Sequence, residues 1–344
     1  MKRVLLTLYS TSWGGAEESI LSLARKLKKL NFDIYVLFIS KYSVKFDFDK
    51  DIKIFRLKIN PSLYKILAPY IVTFLCLKYK IKLVNLNWRF VYEESRFLRF
   101  FKIKSIATIR AILIDKNNAG EYKNTDAIIG ISQAVIDRIK ELGYKKPCYL
   151  IYNGIDLENF KLFHNYKKDP YKFFTLSRLV KWKRIDWAVL AAYNLRSEGI
   201  QIQLDIYGSG PEEENLKTLI NKLKANEYIK IKGWIDKNDV QLSEYGIFLI
   251  PSFAEPFGKT VVENVIRGKV IVGTNYGGIP ELLPNYKLLF ERDDFDDFII
   301  KIKLALKNYS EWEKEIIKRQ PWFIKYFNME RVAKEYKKIY EIYI

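Results

Sequence analysis

The sequence predicts an α/β protein of two domains, each built on a parallel sheet. Three observations carry that expectation. Short apolar runs that read as buried strands alternate with stretches of helical apolar periodicity through both halves of the chain, the pattern of strand–helix–strand crossovers. The 344 residues exceed what a single core sustains, roughly 250–300. Between Tyr152 and Tyr171 the chain turns polar, rich in Asn, Lys and Asp with Gly154 and Pro170, as a linker does.

The first strand is read at Arg3 to Leu8. Gly14-Gly15 then opens a helix that begins near Ala16 and runs toward Lys29. Two adjacent glycines let backbone approach an oxyanion closely with N–H groups free to donate, so both are candidate ligand contacts; an ordinary strand-to-helix turn is the alternative. The apolar run Ile66 to Leu77 is shorter than the ~20 residues a spanning helix needs and contains Pro69, so it is not read as transmembrane. Arg96 to Lys104 mixes cations with aromatics as an interfacial helix does, although a core helix with a lysine-rich outer face fits equally. A middle strand, Lys104-Ser-Ile-Ala-Thr-Ile, ends on Arg110.

In the second half a short strand, Phe173 to Ser177, precedes Arg178 and Lys183, and a helix starts near Asp186. A guanidinium offers phosphate a planar fork and an ammonium a mobile point charge, so the pair can neutralise a departing diphosphate; solvated surface cations are the alternative. After the strand Gln201 to Tyr207, Gly208-Ser-Gly210 lacks the third glycine of a dinucleotide fingerprint, since Glu213 stands there. It reads as a helix-opening turn, with Pro211 at the start and acids in the first turn. A nicotinamide oxidoreductase is correspondingly disfavoured.

The most informative stretch is Ser252 to Thr274. It lies between a buried strand, Gly246 to Pro251, and the next, Lys269 to Gly273. Pro256-Phe257-Gly258 cannot be helix interior, whereas Lys259 to Arg267 puts Val261, Val262, Val265 and Ile266 on one face before Gly268. A helix therefore begins near Lys259, and Gly258, Lys259 and Thr260 form a phosphate seat at its N-terminus. Glu255 lies just before that seat. Glu263 falls off the apolar face beside Lys259 and Arg267, where it can accept hydrogen bonds from vicinal hydroxyls or simply pair with Arg267.

Composition sets further bounds. Cys76, Cys148 and His164 cannot build a zinc site. Asp47-Phe-Asp49 with Asp51, and Asp294-Phe-Asp296 with Asp297, look like divalent-metal clusters but read as solvated or helix-start acids, so no metal is predicted. Residues 1–165 hold 29 Lys plus Arg against 15 Asp plus Glu, and residues 166–344 hold 30 against 25. The first half therefore carries most of the net charge of +19 and is expected to meet something anionic, such as a membrane surface through Arg25 to Lys29 and Arg96 to Lys104. Nucleic acid would also explain the charge, but no module pattern for it is present. Met1-Lys-Arg runs into a strand and not into an apolar signal region, so a cytoplasmic protein at the inner membrane face is expected.

Six segments together resemble the retaining GT-B glycosyltransferases of family 4. Glu255 to Glu263 resembles their E-x7-E signature, Trp13-Gly-Gly-Ala-Glu17 their first glycine loop, and Tyr152-Asn-Gly-Ile-Asp156 their interdomain segment. Ser177-Arg-Leu-Val-Lys-Trp-Lys183, Tyr207-Gly-Ser-Gly-Pro211 and Tyr276-Gly-Gly-Ile-Pro-Glu281 follow in family order. The resemblance implies two Rossmann-like domains across a deep cleft, residues 1–160 on the acceptor side and 161–325 on the nucleotide-sugar side, with 326–344 crossing back as a helix. It implies a nucleotide-sugar donor on the second domain, reached by Gly14 and Gly15, and no separate cofactor. Arg178 and Lys183 then hold the diphosphate, Glu255 the sugar, Glu263 the ribose, with Pro256 and Phe257 in the same loop; the base lies near Gly233-Trp234-Ile235. The acceptor, a saccharide or a lipid-linked or other group, is not readable.

Three positions depart from the family pattern. Trp182 and Arg184 replace an acidic residue and a glycine, and Arg110 stands where family members carry an active-site histidine. Arg110 is expected to orient a phosphate or an anionic acceptor, or else to be structural in a protein of low activity. The readings kept open are a glycosyltransferase, a sugar-nucleotide-binding protein without turnover, a related epimerase, and a nucleic-acid-binding protein.

Overall fold

The structure, a computed structural model, describes residues 2–9, 14–40, 52–59, 61–87, 92–112, 120–162, 167–236 and 238–344. Trp13, the Asp47, Asp49 and Asp51 cluster and His164 lie outside the described residues. The chain divides into two units, Met1–Asp156 with Phe327–Ile344, and Leu157–Tyr326.

The first unit is a seven-stranded parallel sheet. Its strands are β1 (Lys2–Tyr9), β2 (Phe32–Ser40), β3 (Lys53–Lys58), β4 (Leu83–Leu86), β5 (Lys104–Ile109), β6 (Ala127–Gly130) and β7 (Cys148–Leu150), in the order β3-β2-β1-β4-β5-β6-β7. The strands β4 and β6 are buried along their whole length, which is why they read as unbroken apolar runs. The helix Gly15–Lys29 places Ile20, Leu23, Ala24 and Leu27 on the sheet, and the last helix, Met329–Tyr343, adds Val332, Ala333, Tyr336 and Tyr340 to that core. At Gly154 a Cβ would fall 2.7 Å from the Met329 Cα, so only glycine fits where the returning chain passes. Asn328 caps the last helix by accepting from the Glu330 N–H at 2.8 Å.

Lys26 corrects one expectation. It is not part of a basic contact surface: it is 4% exposed, with its ammonium 3.5 Å from Glu330 and 4.0 Å from Asp156. The last helix brings Glu330, and the segment after β7 brings Asp156, to the side of the first helix, and the lysine is buried beside them.

The second unit is a six-stranded parallel sheet. Its strands are β8 (Asp169–Leu176), β9 (Gln203–Tyr207), β10 (Ile229–Gly233), β11 (Tyr245–Ile250), β12 (Val270–Thr274) and β13 (Leu289–Phe290), ordered β10-β9-β8-β11-β12-β13. From β8 the chain builds outward on one side through β10, then returns to place β11 against the other side of β8. The order reverses there, and such a reversal opens a crevice at the carboxyl ends of the two flanking strands.

Asp294 is a helix-start acid, its side chain accepting from the Asp297 N–H at 2.8 Å. The helix Tyr309–Tyr326 is continuous through Pro321, a residue that ordinarily interrupts a helix. Gln320 donates to the Ile266 carbonyl at 2.9 Å and Phe323 is 1% exposed, so tertiary contacts on both sides of Pro321 hold the helix through it.

Candidate active site

Lys183 and Glu255 come from the two strands that flank the reversal in the second unit. Lys183 ends a short 3-10 turn, Lys181–Lys183, after β8; Glu255 lies in the loop after β11. The two form an ion pair with side chains 12% and 11% exposed. Their loops are also tied through backbone, the Phe253 N–H donating to the Trp182 carbonyl at 2.8 Å. This is a charged, largely enclosed contact at the place where open α/β sheets bind ligands.

Glycines from two further loops hold this arrangement. Gly277 has φ of +72°, and a Cβ on it would lie 2.3 Å from the Glu255 carbonyl oxygen. The Gly278 N–H donates to that same carbonyl at 2.8 Å, and a Cβ on Gly278 would meet the Phe257 Cα at 2.7 Å. The Gly-Gly of the last motif therefore serves as a backbone clamp on the Glu255 loop. Gly208 and Gly210 do the same for the Arg178 loop, since Cβ atoms there would strike the Ser177 and Leu179 carbonyl oxygens at 1.8 and 2.3 Å. The sequence reading treated that turn only as a helix opener, which it also is: acids Glu213 and Glu214 occupy the first turn of the helix Glu213–Lys222.

The helix after Glu255 spans Lys259–Ile266 and is capped by Gly258 in the left-handed region, φ +94°. The Val261 and Val262 N–H groups both donate to the Gly258 carbonyl, which leaves the first-turn amides outside the helical ladder. Phe257 is 2% exposed and anchors the loop. Glu263 is off the valine face as expected, yet it is only 4% exposed, with the Lys259 ammonium 3.9 Å away. Arg267, 3% exposed, stacks on Phe160 at 4.2 Å. Burial pushes its guanidinium pKa down to about 10, against the opposing pull of Glu263 and Asp236.

The departure at Arg184 is accommodated. Arg184 adopts the left-handed backbone, φ +50°, that a glycine would take freely. Its guanidinium lies 4.6 Å from the Trp187 ring centre and 4.7 Å from that of Phe253, and it pairs with Asp293. Arg292 covers Phe253 at 3.7 Å and Tyr276 at 4.0 Å. Phe253 and Arg292 escaped sequence reading because neither belongs to a motif; an aromatic two residues before Glu255 was the only available signal.

The remaining candidates are not drawn into this contact. Arg178 is exposed on the loop after β8. Gly233 ends the edge strand β10 and Trp234, 72% exposed, and Ile235 follow it; the Gly208 N–H donates to the Gly233 carbonyl at 2.7 Å. In the first unit, Gly14 caps the helix after β1, and the Glu17 carboxylate would lie 3.2 Å from a Cβ there. Arg110 follows β5 and donates to the Asn153 side chain at 2.5 Å. Beside it is a buried polar network that the sequence did not reveal: Thr108 donates to Asn85 at 2.9 Å, and Asn85 donates to the Tyr340 hydroxyl at 2.5 Å. Burial pushes the Tyr336 and Tyr340 hydroxyls up in pKa, and the Arg110 charge opposes this.

Two parallel α/β units, with charged loops at the carboxyl ends of the second and a final helix returned to the first, define a GT-B architecture. The same fold is seen in sucrose-phosphate synthase from Thermosynechococcus elongatus (TM-score 0.86, 17% identity, 99% of this chain and 98% of that one). It is seen again in HepE from Anabaena in complex with UDP and glucose (TM-score 0.82, 18% identity, 98% and 99%). Residues 157–321 match the family model of glycosyl transferases group 1, and residues 13–159 match that of glycosyltransferase family 4. The chain belongs to this family of glycosyltransferases. Among sequence relatives, the GtfA subunit of the UDP-N-acetylglucosamine–peptide N-acetylglucosaminyltransferase of Streptococcus gordonii is 37% identical over 106 residues, 31% of this chain. That match spans 21% of the relative's length.

Proposed function

We propose that this protein is a retaining glycosyltransferase that moves a sugar from a nucleoside diphosphate sugar to an acceptor hydroxyl without a metal ion, at the cytoplasmic face of a membrane. The observation that carries this is the Lys183–Glu255 pair at the strand-order reversal, next to the Gly258-capped helix. Glu255 accepts hydrogen bonds from the sugar hydroxyls and Glu263 from the ribose. The diphosphate takes the first-turn amides of Gly258, Lys259 and Thr260, the exposed Arg178, and Lys183, whose ammonium swings from Glu255 to phosphate. The base stacks near Gly233, Trp234 and Ile235.

In the step itself the bond from the anomeric carbon to the diphosphate oxygen breaks, and the acceptor oxygen bonds to the same face of that carbon. The acceptor proton passes to the departing phosphate oxygen, so the products are the glycosylated acceptor and a protonated nucleoside diphosphate. Arg178 and Lys183 neutralise the charge that builds on the leaving group, the task a divalent ion performs elsewhere. Arg110 orients the acceptor side. UDP-sugars are the first donors to try, because the HepE complex holds UDP and the streptococcal relative is named for a UDP-sugar.

A second reading, donor binding without turnover, is favoured by one observation: Arg110 replaces the family histidine and is tied to Asn153. The two separate cleanly. Nucleoside diphosphates are screened by thermal shift, then donors are incubated with acceptor mixtures and products read by mass. Glu263→Ala and Arg178→Ala are expected to remain folded and lose donor affinity. Wild-type affinity in both sinks the assignment of the site, and binding with no product from any donor selects the second reading.

A further inference from the structure

The helix Pro61–Lys78 buries one apolar face and exposes another. Ala68, Val72, Leu75 and Cys76 are at most 7% exposed, as the inner face of a crossover helix should be. Yet Leu63, Ile66, Tyr70, Phe74 and Leu77 are 49–66% exposed. Their spacing of three and four residues gathers them within an arc of about 80° on a helix that turns about 100° per residue. Phe97 of the neighbouring helix Tyr92–Phe100 packs edge-on against Tyr70, ring centres 4.9 Å apart, and Phe100 and Phe101 on the same helix end are 82% and 42% exposed. Solvent-exposed apolar residues of this number and contiguity mark an interaction surface.

Cations stand at the C-terminal ends of the two helices. Lys78, Lys80, Arg99 and Lys102 are exposed there, and the Lys78 ammonium lies 5.6 Å from the Phe74 ring centre. Long basic side chains beside aromatics suit the boundary between lipid headgroups and acyl chains, where the rings sink and the charges meet phosphate. A second copy of the chain would set cations against cations, so the charge selects an anionic partner. Among the described residues no helix is long and apolar enough to cross a membrane, so lipid contact by this helix would be interfacial.

We infer that the exposed stripe of Pro61–Lys78, with Phe100 and Phe101, docks this protein on an anionic lipid bilayer. The inference deepens the membrane-face part of the function proposed above and rests on it for its purpose, but vesicle binding is read without any sugar transfer. The full chain is sedimented with phosphatidylcholine vesicles, alone or with about one third phosphatidylglycerol. Wild type is expected to pellet at least tenfold more with the anionic vesicles, less so at high salt. Ile66→Asp/Phe74→Asp and Lys78→Glu/Lys102→Glu are each expected to lose tenfold or more while keeping the wild-type Tm and nucleotide thermal shift. No pelleting of wild type, stripe variants that pellet like wild type, or a dimer by light scattering that the stripe variants dissolve would each overturn the proposal. Failure of nucleotide binding in the same preparation would instead remove the donor-site reading and leave this one standing.

Discussion

Lys183 and Glu255, 72 residues apart in sequence, meet as an ion pair between the loops that follow two adjacent strands of the second sheet. With side chains close to nine-tenths buried, each charge depends on the other, because a lone ion in that position keeps its desolvation cost without its partner. Lys183→Met or Glu255→Met alone is expected to cost about 3–5 kcal/mol of stability. The double variant recovers most of that loss by urea unfolding yet transfers no sugar. A double variant no more stable than either single one would mean the pair is not coupled.

The glycine clamp gives a second test. Gly277→Ala introduces a Cβ against the Glu255 carbonyl at a backbone angle that alanine resists, so the loop must shift. The strained conformation alone costs about 1–3 kcal/mol. Weaker donor binding by calorimetry is expected alongside the lower unfolding free energy. Gly143→Ala, equally left-handed but with open space around it, serves as control and should leave donor affinity unchanged.

Arg184 separates backbone strain from side-chain contact. Arg184→Ala removes the stacking on Trp187 and Phe253 and keeps the left-handed backbone, whereas Arg184→Gly removes the stacking and relieves the backbone. The glycine variant should therefore be the more stable of the two by about 1 kcal/mol. Equal midpoints in chemical denaturation would show that the loop relaxes once the guanidinium is gone.

Lys269 predicts a pH dependence. It is 1% exposed and donates to the Ser243 and Tyr245 carbonyls, each at 2.6 Å, and burial pushes its pKa down from 10.5 to about 6. Between those two values the unfolded chain binds the proton and the folded one does not, so this group makes stability rise as pH climbs from about 6 toward 10.5. Below about 6 both states are protonated and the buried charge weighs fully on the fold. Across that range the unfolding free energy of wild type should rise relative to that of Lys269→Met as pH rises; parallel curves would remove the assignment.

Much of the site was legible because its residues sit in short motifs whose spacing survives folding. Glu255 and Glu263 could be placed around a loop-to-helix junction from Pro256, Gly258 and the valine periodicity alone. The clamp by Gly277 and Gly278 was not legible, since a glycine reports permissiveness without saying what approaches it. Arg184 hid its left-handed backbone for the converse reason: a side chain that forms stacks elsewhere can hold a conformation its own propensity disfavours.

The sequence by itself determined the alternation of strand and helix, the order of the elements and the polar chemistry at each loop, because these depend on local periodicity and residue type. Tertiary structure decided that Lys26 is buried, that the helix Tyr309–Tyr326 runs through its proline, that Pro61–Lys78 leaves an apolar stripe exposed, and that Lys183 meets Glu255. Periodicity tells which side of an element is apolar, but what each side meets is fixed by strand order and by the return of the last helix, and those join residues far apart in the chain.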